Sequence, residues 1–285
     1  MNLPPCVTLS HQIPSCPILR IDHPAATGRI CLMGGHVLEW TPAAANHPVL
    51  YISPEAFFEE GKPIRGGIPV CWPWFGPRPG LPSHGFVRTL LWTLTEVTDT
   101  GESVRCRLEL TSDSTTLELW PHPFQVELTV EMGRALDVSI RMENPGAAPV
   151  ELTGALHTYL CTGAIEQTRV IGLDGVSYTD TIDGDQRKTQ SGAIDFDREV
   201  DRIYYSAASV RVEDLAWNRV LHIAKTNSDT TVVWNPWIEK SKRLNDLPDD
   251  AYHGFLCIEA ANAGPDIVKL GPGGEHILGT RIEIL

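Results

Sequence analysis

The chain has 285 residues, is 42% hydrophobic and 21% charged, and carries a formal net charge of -13 at pH 7. A chain of this length can bury a large core, and we expect a single domain over residues 1–285, because all-β sandwiches of roughly 200–250 residues often form one unit. The acidic balance argues against nucleic acid and anionic membranes as partners.

The cysteines indicate a reducing compartment. Their number is odd and no two are spaced as CxxC, so we expect buried free thiols rather than disulfides or a zinc site. The N-terminus lacks the basic start and apolar run of a signal peptide, and no apolar run approaches the roughly 18 residues of a membrane span. We therefore expect a cytoplasmic protein. The chain's seven cysteines are Cys6, Cys16, Cys31, Cys71, Cys106, Cys161 and Cys257.

Residues 65–88 form a cationic segment in this acidic chain. They include no Asp or Glu, but contain Arg65, Arg78, Arg88 and His84 among glycines, prolines and aromatic residues. An acid-free cationic loop indicates a site for a small anion, whereas nucleic acid would need a broad basic face. A solvated loop with scattered arginines has the same composition, so the segment alone does not decide between the two.

Further along the chain, the dominant hydrophobic period is two. Residues 124–132 and 136–142 alternate apolar and polar side chains around the turn at Gly133 and Arg134, which predicts a hairpin of half-buried strands. Helical periodicity is scarce and predicts only a short helix near residues 239–247. Many short strands with few helices predict an all-β fold, a large antiparallel β-sandwich. Further strands are predicted at 104–110, 150–160, 210–212, 220–223, 230–234, 254–259 and 276–284.

Two of these strands carry residues that break their pattern. His157 lies among apolar neighbours in ELTGALHTYL, and Glu259 follows a run of GFLCI in which both strand faces are apolar. A buried carboxylate is unfavourable unless it is partnered or faces a pocket, and desolvation raises its pKa toward that of a general base. A structural histidine and a structural salt bridge are the alternative interpretations of these two residues.

Six blocks together resemble a known family. They are RGGIPVCWPWFGP, HGFVR, GALHTYL, VDRIYY, VVWNPW and CIEAAN, and they follow one another as in the hexose-6-phosphate mutarotases, the glucose-6-phosphate 1-epimerases of the aldose 1-epimerase superfamily. The resemblance runs from about residue 34 to the C-terminus. It implies a galactose mutarotase-like supersandwich, which agrees with the period of two.

The resemblance implies interconversion of the α and β anomers of a sugar by ring opening and closure at the anomeric carbon. A base takes the proton of the anomeric hydroxyl and an acid protonates the ring oxygen, and the two exchange roles when the ring closes. By resemblance, Glu259 is the base and His157 the acid. Both residue types suit proton transfer near neutral pH.

The resemblance also assigns substrate-binding residues. Arg65 and Arg88 match arginines of the substrate pocket and are expected to hold the phosphate, because a guanidinium can form paired hydrogen bonds with its oxygens. His84 matches a histidine near the sugar ring. Asp201 matches an acidic residue that holds sugar hydroxyls, with a surface salt bridge to the neighbouring Arg202 as its alternative.

The aromatic residues and the middle arginine of the cationic segment are assigned less directly. Trp72, Trp74 and Phe75 are expected to pack and fix the loop, although stacking on a sugar ring is the alternative. Arg78 lies in a PRPG turn and its role is left open. Residues 75–84 are shorter and richer in proline than the family pattern, which bears on substrate preference.

The expected partner is a small molecule, a hexose 6-phosphate. No metal or other cofactor is expected, since paired proton transfer suffices and no HxH or HExxH spacing occurs. We expect a monomer. A mutarotase for unphosphorylated sugars and a non-catalytic carbohydrate-binding β-sandwich remain as alternative functions, and a glycoside hydrolase is disfavoured because it would use two carboxylates.

Overall fold

The computed structural model describes residues 2–285, and antiparallel strands dominate it. The first strands are β1 Val7–Ser10, β2 Ile18–His23, β3 Ala26–Cys31, β4 His36–Pro42, β5 Val70–Cys71, β6 Thr93–Asp99, β7 Val104–Thr111, β8 Gln125–Met132, β9 Leu136–Glu143, β10 Val150–Leu152, β11 Gly154–Leu156 and β12 Tyr159–Cys161. The remaining strands are β13 Thr168–Ile171, β14 Ser177–Asp180, β15 Gln186–Thr189, β16 Ile194–Asp195, β17 Val200–Tyr205, β18 Val210–Asp214, β19 Arg219–Thr226, β20 Thr230–Asn235, β21 Phe255–Asn262, β22 Val268–Leu270 and β23 Glu275–Ile284.

The helices are few and short, as predicted. They are α1 Ser114–Leu119, α2 Trp237–Ser241 and three 3₁₀ turns at Val87–Thr89, Ile165–Gln167 and Ala251–Gly254. A capping box begins α1, in which the Asp113 carboxylate accepts from the Thr116 N–H and the Thr116 hydroxyl accepts from the Asp113 N–H.

Two large sheets form the sandwich. One has eight strands in the order β15-β14-β17-β20-β21-β11-β5, with β12 also paired to β21, and the other has nine in the order β16-β13-β18-β19-β23-β9-β8-β7-β6. Side chains of both sheets share one core, in which β21 contacts β19 and β23 of the opposite sheet. A four-stranded sheet, β1-β2-β3-β4, packs against β8. The predicted antiparallel β-sandwich is confirmed.

The hairpin β8–β9 shows why the period of two was informative. Every second residue of both strands is buried and the others are half-buried, from Val126↔Met142 to Met132↔Leu136 in the register. One face of this hairpin packs into the core while the other lies near the surface, which is the arrangement that alternation predicts.

Strand β21 is buried along its whole length because it lies in the middle of its sheet with both faces covered. Leu256, Ile258 and Ala260 face the sandwich core. Phe255 and Cys257 face the opposite way, into a smaller aromatic cluster. Since successive strand residues alternate in direction, Glu259 lies on this second face, outside the main core.

The prediction of one strand over 150–160 is wrong. The structure divides the segment into β10, β11 and β12, with Thr153 and then His157 and Thr158 between them. The Thr158 N–H turns back to donate to the Leu156 carbonyl at 2.9 Å, whereas the His157 N–H donates to the Pro69 carbonyl at 3.0 Å and so continues the register of β11 with β5. His157 therefore lies at a short break between β11 and β12 rather than inside one strand.

The predicted helix at 239–247 is shorter and begins earlier, as α2. After Ser241 the chain continues in turns, with the Leu244 N–H donating to the Ser241 carbonyl at 3.1 Å. The Asp246 carbonyl accepts from the Ser53 hydroxyl at 2.7 Å and its carboxylate binds Arg65, so these contacts hold the chain away from a helical path.

The seven thiols are unpaired, and five of them are buried. Cys6 and Cys161 are only half-buried, which corrects the expectation that all would be buried. Neither helix within residues 2–285 has the length and apolar character that crossing a membrane requires.

Candidate active site

A pocket of about 290 Å³ opens on the outer face of the eight-stranded sheet, the face to which Glu259 points. Its floor comes from the sheet, and its walls come from residues 63–69, residues 75–88 and the segment that begins with α2. All six predicted site residues line it: Arg65, His84, Arg88, His157, Asp201 and Glu259.

The register of the sheet explains why residues distant in sequence meet here. Asp201 of β17 pairs with Trp234 of β20, which pairs with Cys257 of β21, which in turn pairs with Tyr159 of β12. Glu259 lies one step further along the same face of β21 than Cys257. Asp201, Trp234 and Tyr159 of this row lie on the pocket floor, with Glu259 at its side.

His157 and Glu259 are in direct contact. The imidazole Nε2 lies 3.3 Å from the carboxyl Oε1, and the two side chains are 11% and 1% exposed. The remaining polar atoms of the pair, Nδ1 of His157 and Oε2 of Glu259, are buried without a hydrogen-bond partner among the described residues. Unpartnered buried polar atoms are unfavourable for folding, so their place in a pocket indicates a role toward a ligand.

Burial moves both groups toward their uncharged forms. Desolvation, aided by Asp201, raises the pKa of Glu259 well above 4.5, although Arg88 opposes this. Desolvation also lowers the pKa of His157 well below 6.5, and the nearby His84, Arg65 and Arg88 act in the same direction. Both shifts favour a pair that holds one proton, as Glu259–OH beside neutral imidazole, over the ion pair.

One proton shared by two groups is what a coupled acid and base require. Whichever group holds the proton can donate it, and the other can accept one. Transfer across the 3.3 Å contact exchanges the two roles without solvent. The arrangement can thus move one proton to a bound molecule while taking another from it.

His84 is held in place by its own loop. Its backbone has φ 62°, its N–H donates to the Gly76 carbonyl at 2.8 Å, and its Nδ1 accepts from the Gly76 N–H at 3.3 Å. Desolvation, with Arg88, Arg65 and Lys240, lowers its pKa to about 3. His84 is therefore neutral, and because Nδ1 accepts, its proton is on Nε2 and can be donated to a ligand.

The two predicted phosphate-binding arginines have different surroundings. Arg65 Nε donates to Asp246 Oδ1 at 3.1 Å and its Nη1 donates to the Tyr159 hydroxyl at 2.9 Å. Arg88 Nη2 donates to the Ser83 carbonyl at 2.7 Å. The pocket carboxylates of the described chain pair with other groups, which leaves Arg88 as the guanidinium whose charge is not balanced by contact with an acid.

Asp201 is half-buried on the pocket floor and binds Lys240, with its Oδ2 3.3 Å from the ammonium Nζ. Lys240 also contacts Glu199 at 3.1 Å and lies 5.6 Å from the centre of the Trp234 ring. The alternative partner Arg202 approaches Asp180 instead, at 4.0 Å. Asp201 thus faces the pocket as predicted, with one oxygen engaged by a lysine that the sequence interpretation did not include.

Close backbone contacts require glycine in two of the six sequence blocks, RGGIPVCWPWFGP and HGFVR. Gly66 in RGG has φ 108°, and a Cβ there would lie 2.4 Å from the Tyr51 carbonyl oxygen. Gly85 in HGF has φ 70°, and a Cβ there would lie 1.9 Å from the Trp72 carbonyl oxygen. Both residues let the backbone beside Arg65 and His84 approach a neighbouring segment more closely than any side chain allows.

The tryptophans of the cationic segment belong to the scaffold. Trp72 is 1% exposed and packs edge-on against Trp120 and Phe124. Trp74 is 5% exposed and packs edge-on against Phe86. Neither lines the pocket.

The other aromatic and cationic residues of interest divide between pocket and surface. Phe75 and Trp234 do line the pocket. Arg78 is exposed, and its guanidinium lies 4.9 Å from the centre of the Trp74 ring, outside the pocket. Of the three arginines in residues 65–88, only Arg65 and Arg88 therefore meet at the site.

The sequence interpretation missed four polar pocket residues, Ser83, Tyr159, Lys240 and Asp246. Tyr159 has a signal, since it follows His157 by two positions in an extended segment and could be expected on the same side. Lys240 lies in α2 and Asp246 in the turns that follow it, where no local pattern indicates that the chain returns to the pocket.

The described residues show no competing site. A larger open cleft of about 1040 Å³ lies elsewhere, between the four-stranded sheet and β7–β9, and it is lined by ordinary surface side chains. Within residues 2–285, no three His, Cys, Asp or Glu side chains are grouped so that they could hold a metal ion.

Comparison with known proteins places this chain in a family. Residues 17–283 match the aldose 1-epimerase family. A protein of Escherichia coli K12 with the provisional name glucose-6-phosphate 1-epimerase is 36% identical over 250 residues, which cover 86% of this chain and 83% of the relative. A protein of the same provisional name from Cenchrus ciliaris is 34% identical over 257 residues, covering 86% and 78%.

The fold has solved counterparts as well. The crystal structure of YeaD from Salmonella typhimurium, provisionally described as a mutarotase, superposes with a TM-score of 0.93 at 30% identity, covering 99% of this chain and 95% of that one. A galactose mutarotase related enzyme from Lactobacillus acidophilus shares the fold, with a TM-score of 0.73 at 14% identity over 93% and 96% of the two chains. The family match over nearly the whole chain and these relatives show that the protein belongs to the aldose 1-epimerase family.

Proposed function

We propose that this protein is a hexose-6-phosphate mutarotase, an isomerase that interconverts the α and β anomers of glucose 6-phosphate and related sugar phosphates. The observation that carries the proposal is the contact between His157 and Glu259 in a pocket that also contains Arg88. Family membership and the names of the relatives support the same activity.

In this proposal, the His157–Glu259 pair performs both proton transfers. With the proton on His157, Glu259 takes the proton of the anomeric hydroxyl while His157 protonates the ring oxygen, and the C1–ring oxygen bond breaks to give the open-chain aldehyde. The aldehyde rotates about the bond between C1 and C2. On closure His157 takes back the proton of the attacking hydroxyl, and Glu259 returns one to the aldehyde oxygen, so protons balance over the cycle.

The charges of the pocket support a phosphorylated substrate. Arg88 has donors that are not engaged by a carboxylate, and a phosphate can accept from them as paired, charge-assisted bonds. Arg65 retains its contacts to Asp246 and Tyr159 and would add a shared interaction. In an acidic protein, this localised positive charge is what a small dianion requires.

The sugar itself would be held by polar groups on the floor and wall. His84 can donate from Nε2 to a hydroxyl or the ring oxygen, and Asp201 can accept from a hydroxyl with the oxygen that Lys240 leaves free. The pocket volume of about 290 Å³ suits one sugar ring with its phosphate.

The alternatives are supported less well. In a mutarotase for unphosphorylated sugars, no substrate group would balance the positive charge of Arg88. A binding protein without catalysis would gain nothing from a buried Glu259 whose Oε2 lacks a hydrogen-bond partner among the described residues, which is unfavourable for folding.

Saturation-transfer NMR on the anomeric protons tests the proposal, with glucose 6-phosphate and glucose as parallel substrates. We expect the protein to accelerate exchange of glucose 6-phosphate strongly and that of glucose weakly. Equal acceleration of both would contradict the phosphate assignment, and acceleration of neither would contradict the enzymatic function.

We also infer the domain organisation, oligomeric state and cellular location of the protein. We propose one domain over residues 1–285, acting as a monomer in the cytoplasm. The shared core of the two large sheets supports the single domain, and seven free thiols support a reducing compartment.

A further inference from the structure

Tyr159 occupies a position between the two functional parts of the pocket. Its hydroxyl oxygen accepts from Arg65 Nη1 at 2.9 Å, and its ring stacks on the His157 imidazole with centroids 4.8 Å apart and planes 12° from parallel. One side chain thus contacts both a proposed phosphate ligand and the proposed acid.

The surroundings of Tyr159 give it little freedom. It is 2% exposed, and Trp234 packs edge-on against both stacked rings, 5.9 Å from each centroid. Its N–H donates to the Gly67 carbonyl at 2.9 Å, two residues from Arg65. A displacement of the Tyr159 ring would therefore move the imidazole against which it is stacked.

Arg65 itself is fixed at one end. The ion pair to Asp246 holds Nε of Arg65 at 3.1 Å. A ligand that accepts from the remaining donors of Arg65 therefore contacts a guanidinium that is already hydrogen-bonded to Tyr159. Desolvation raises the pKa of Tyr159, which keeps the phenol protonated and its oxygen an acceptor for Arg65.

We propose that Tyr159 is a positioning residue that couples phosphate binding at Arg65 to the orientation of the His157 ring. This inference rests on the proposed function. A phosphate on Arg65 would fix the guanidinium, the guanidinium would fix the phenol, and the stacked phenol would hold the imidazole in line with the ring oxygen of the sugar. Phosphate then raises kcat as well as affinity.

The substitution Tyr159→Phe separates this role from simple packing, because it keeps the stacked ring and removes only the bond to Arg65. We expect kcat for glucose 6-phosphate to fall by about tenfold or more, a loss typical of misaligned catalytic groups, with a smaller change in KM. Exchange of unphosphorylated glucose should hardly change. The matched control is Tyr51→Phe, since Tyr51 stacks on Phe255 at 4.7 Å but does not line the pocket.

A measurement with the unaltered protein tests the coupling even if the variant folds poorly. The probe is phosphite dianion added to glucose, which supplies the anion without attaching it to the sugar. We expect phosphite to raise kcat for glucose exchange in the wild-type protein and in Tyr51→Phe, and to lose this effect in Tyr159→Phe.

The outcomes are distinguishable. No stimulation by phosphite in the wild type, or equal stimulation in Tyr159→Phe, would overturn the coupling while glucose 6-phosphate exchange still supports the proposed function. A change confined to KM in Tyr159→Phe would also overturn it. Absence of any glucose 6-phosphate exchange by the wild type would overturn the proposed function and the coupling with it.

Discussion

Arg65 and Asp246 form an ion pair of 3.1 Å in which the two side chains are 22% and 12% exposed. The carboxylate comes from the turn after α2, far along the chain from the cationic segment that contains Arg65. The pair gives Arg65 a structural role that Arg88 lacks, so the two arginines should respond differently to substitution.

Arg88→Ala should affect substrate binding and leave stability nearly unchanged. Loss of a charge-assisted hydrogen bond to phosphate corresponds to about 1.5–3 kcal/mol, seen as a higher KM for glucose 6-phosphate. Arg65→Ala should raise KM and also lower the Tm, because it leaves Asp246 without its partner. Kinetics and thermal melts of both variants check this, and an equal Tm loss in the two would contradict the distinction.

The pH profile of kcat should be wide. Uptake of a second proton by the pair ends activity at low pH, because Glu259 can then no longer accept the anomeric proton, and since burial lowers the pKa of His157 this limb should lie below pH 6.5. The high-pH limb follows loss of the proton that His157 and Glu259 share. The raised pKa of Glu259 places this limb well above pH 4.5. Because kcat is measured at saturating substrate, the ionisation of the free substrate's phosphate near pH ~6 does not affect it. A low-pH limb above 6.5 would contradict the shared-proton account.

Glu259→Gln should stabilise the fold at neutral and alkaline pH. A carboxyl with a higher pKa in the folded state binds more protons when folded, so its contribution makes stability fall as pH rises above 4.5. Glutamine removes this dependence. We expect a gain on the order of 1 kcal/mol, or roughly 2 °C in Tm, at pH 8, which shrinks toward pH 5.

The control for this stability measurement is Glu118→Gln, at an exposed position of α1. The difference in Tm between Glu118→Gln and the wild type should be the same at pH 5 and at pH 8. A destabilised Glu259→Gln protein at pH 8 would show that the carboxylate stabilises the fold, and would favour a structural salt bridge over a functional one.

Gly85→Ala should disrupt the loop that holds His84. The new Cβ would lie 1.9 Å from the Trp72 carbonyl oxygen, so the loop must move and kcat/KM should fall. Gly80→Ala is the matched control in the same loop, because Gly80 has a similar φ of 75° but no atom within 4 Å of the added Cβ. The control should lose about 1 kcal/mol of stability through backbone strain and keep its activity. Equal activity losses would contradict the role of the close contact.

The fold was predictable from the sequence where one strand face is buried and the other is not. The hairpin β8–β9 has this pattern, and so does the first part of β7, in which Val104, Cys106 and Leu108 are buried. Strands β1 to β4 were not predicted: β2 does alternate buried and exposed residues, but β1 has only four residues and β4 is buried on both faces over its first three residues. Such runs have no period to detect.

The site was predictable only in part. Glu259 was detectable because a carboxylate interrupts the apolar strand β21, and His157 because it interrupts an apolar segment. Lys240 and Asp246 were not, because their place depends on how α2 and the turns after it pack against a distant sheet rather than on local spacing. The break at His157 was also hidden, since the bond from the Thr158 N–H back to the Leu156 carbonyl has no signal in the local sequence.

The most direct test of the central claim is saturation-transfer NMR on glucose 6-phosphate with the wild-type protein and with Glu259→Gln. Since the proposed Glu259–His157 pair supplies both proton transfers, we expect the wild type to accelerate exchange between the α and β signals and the variant to lose about 10²-fold or more of that rate. A far-UV and near-UV spectrum like that of the wild type establishes that the variant is folded. Exchange at the wild-type rate by folded Glu259→Gln would contradict the account.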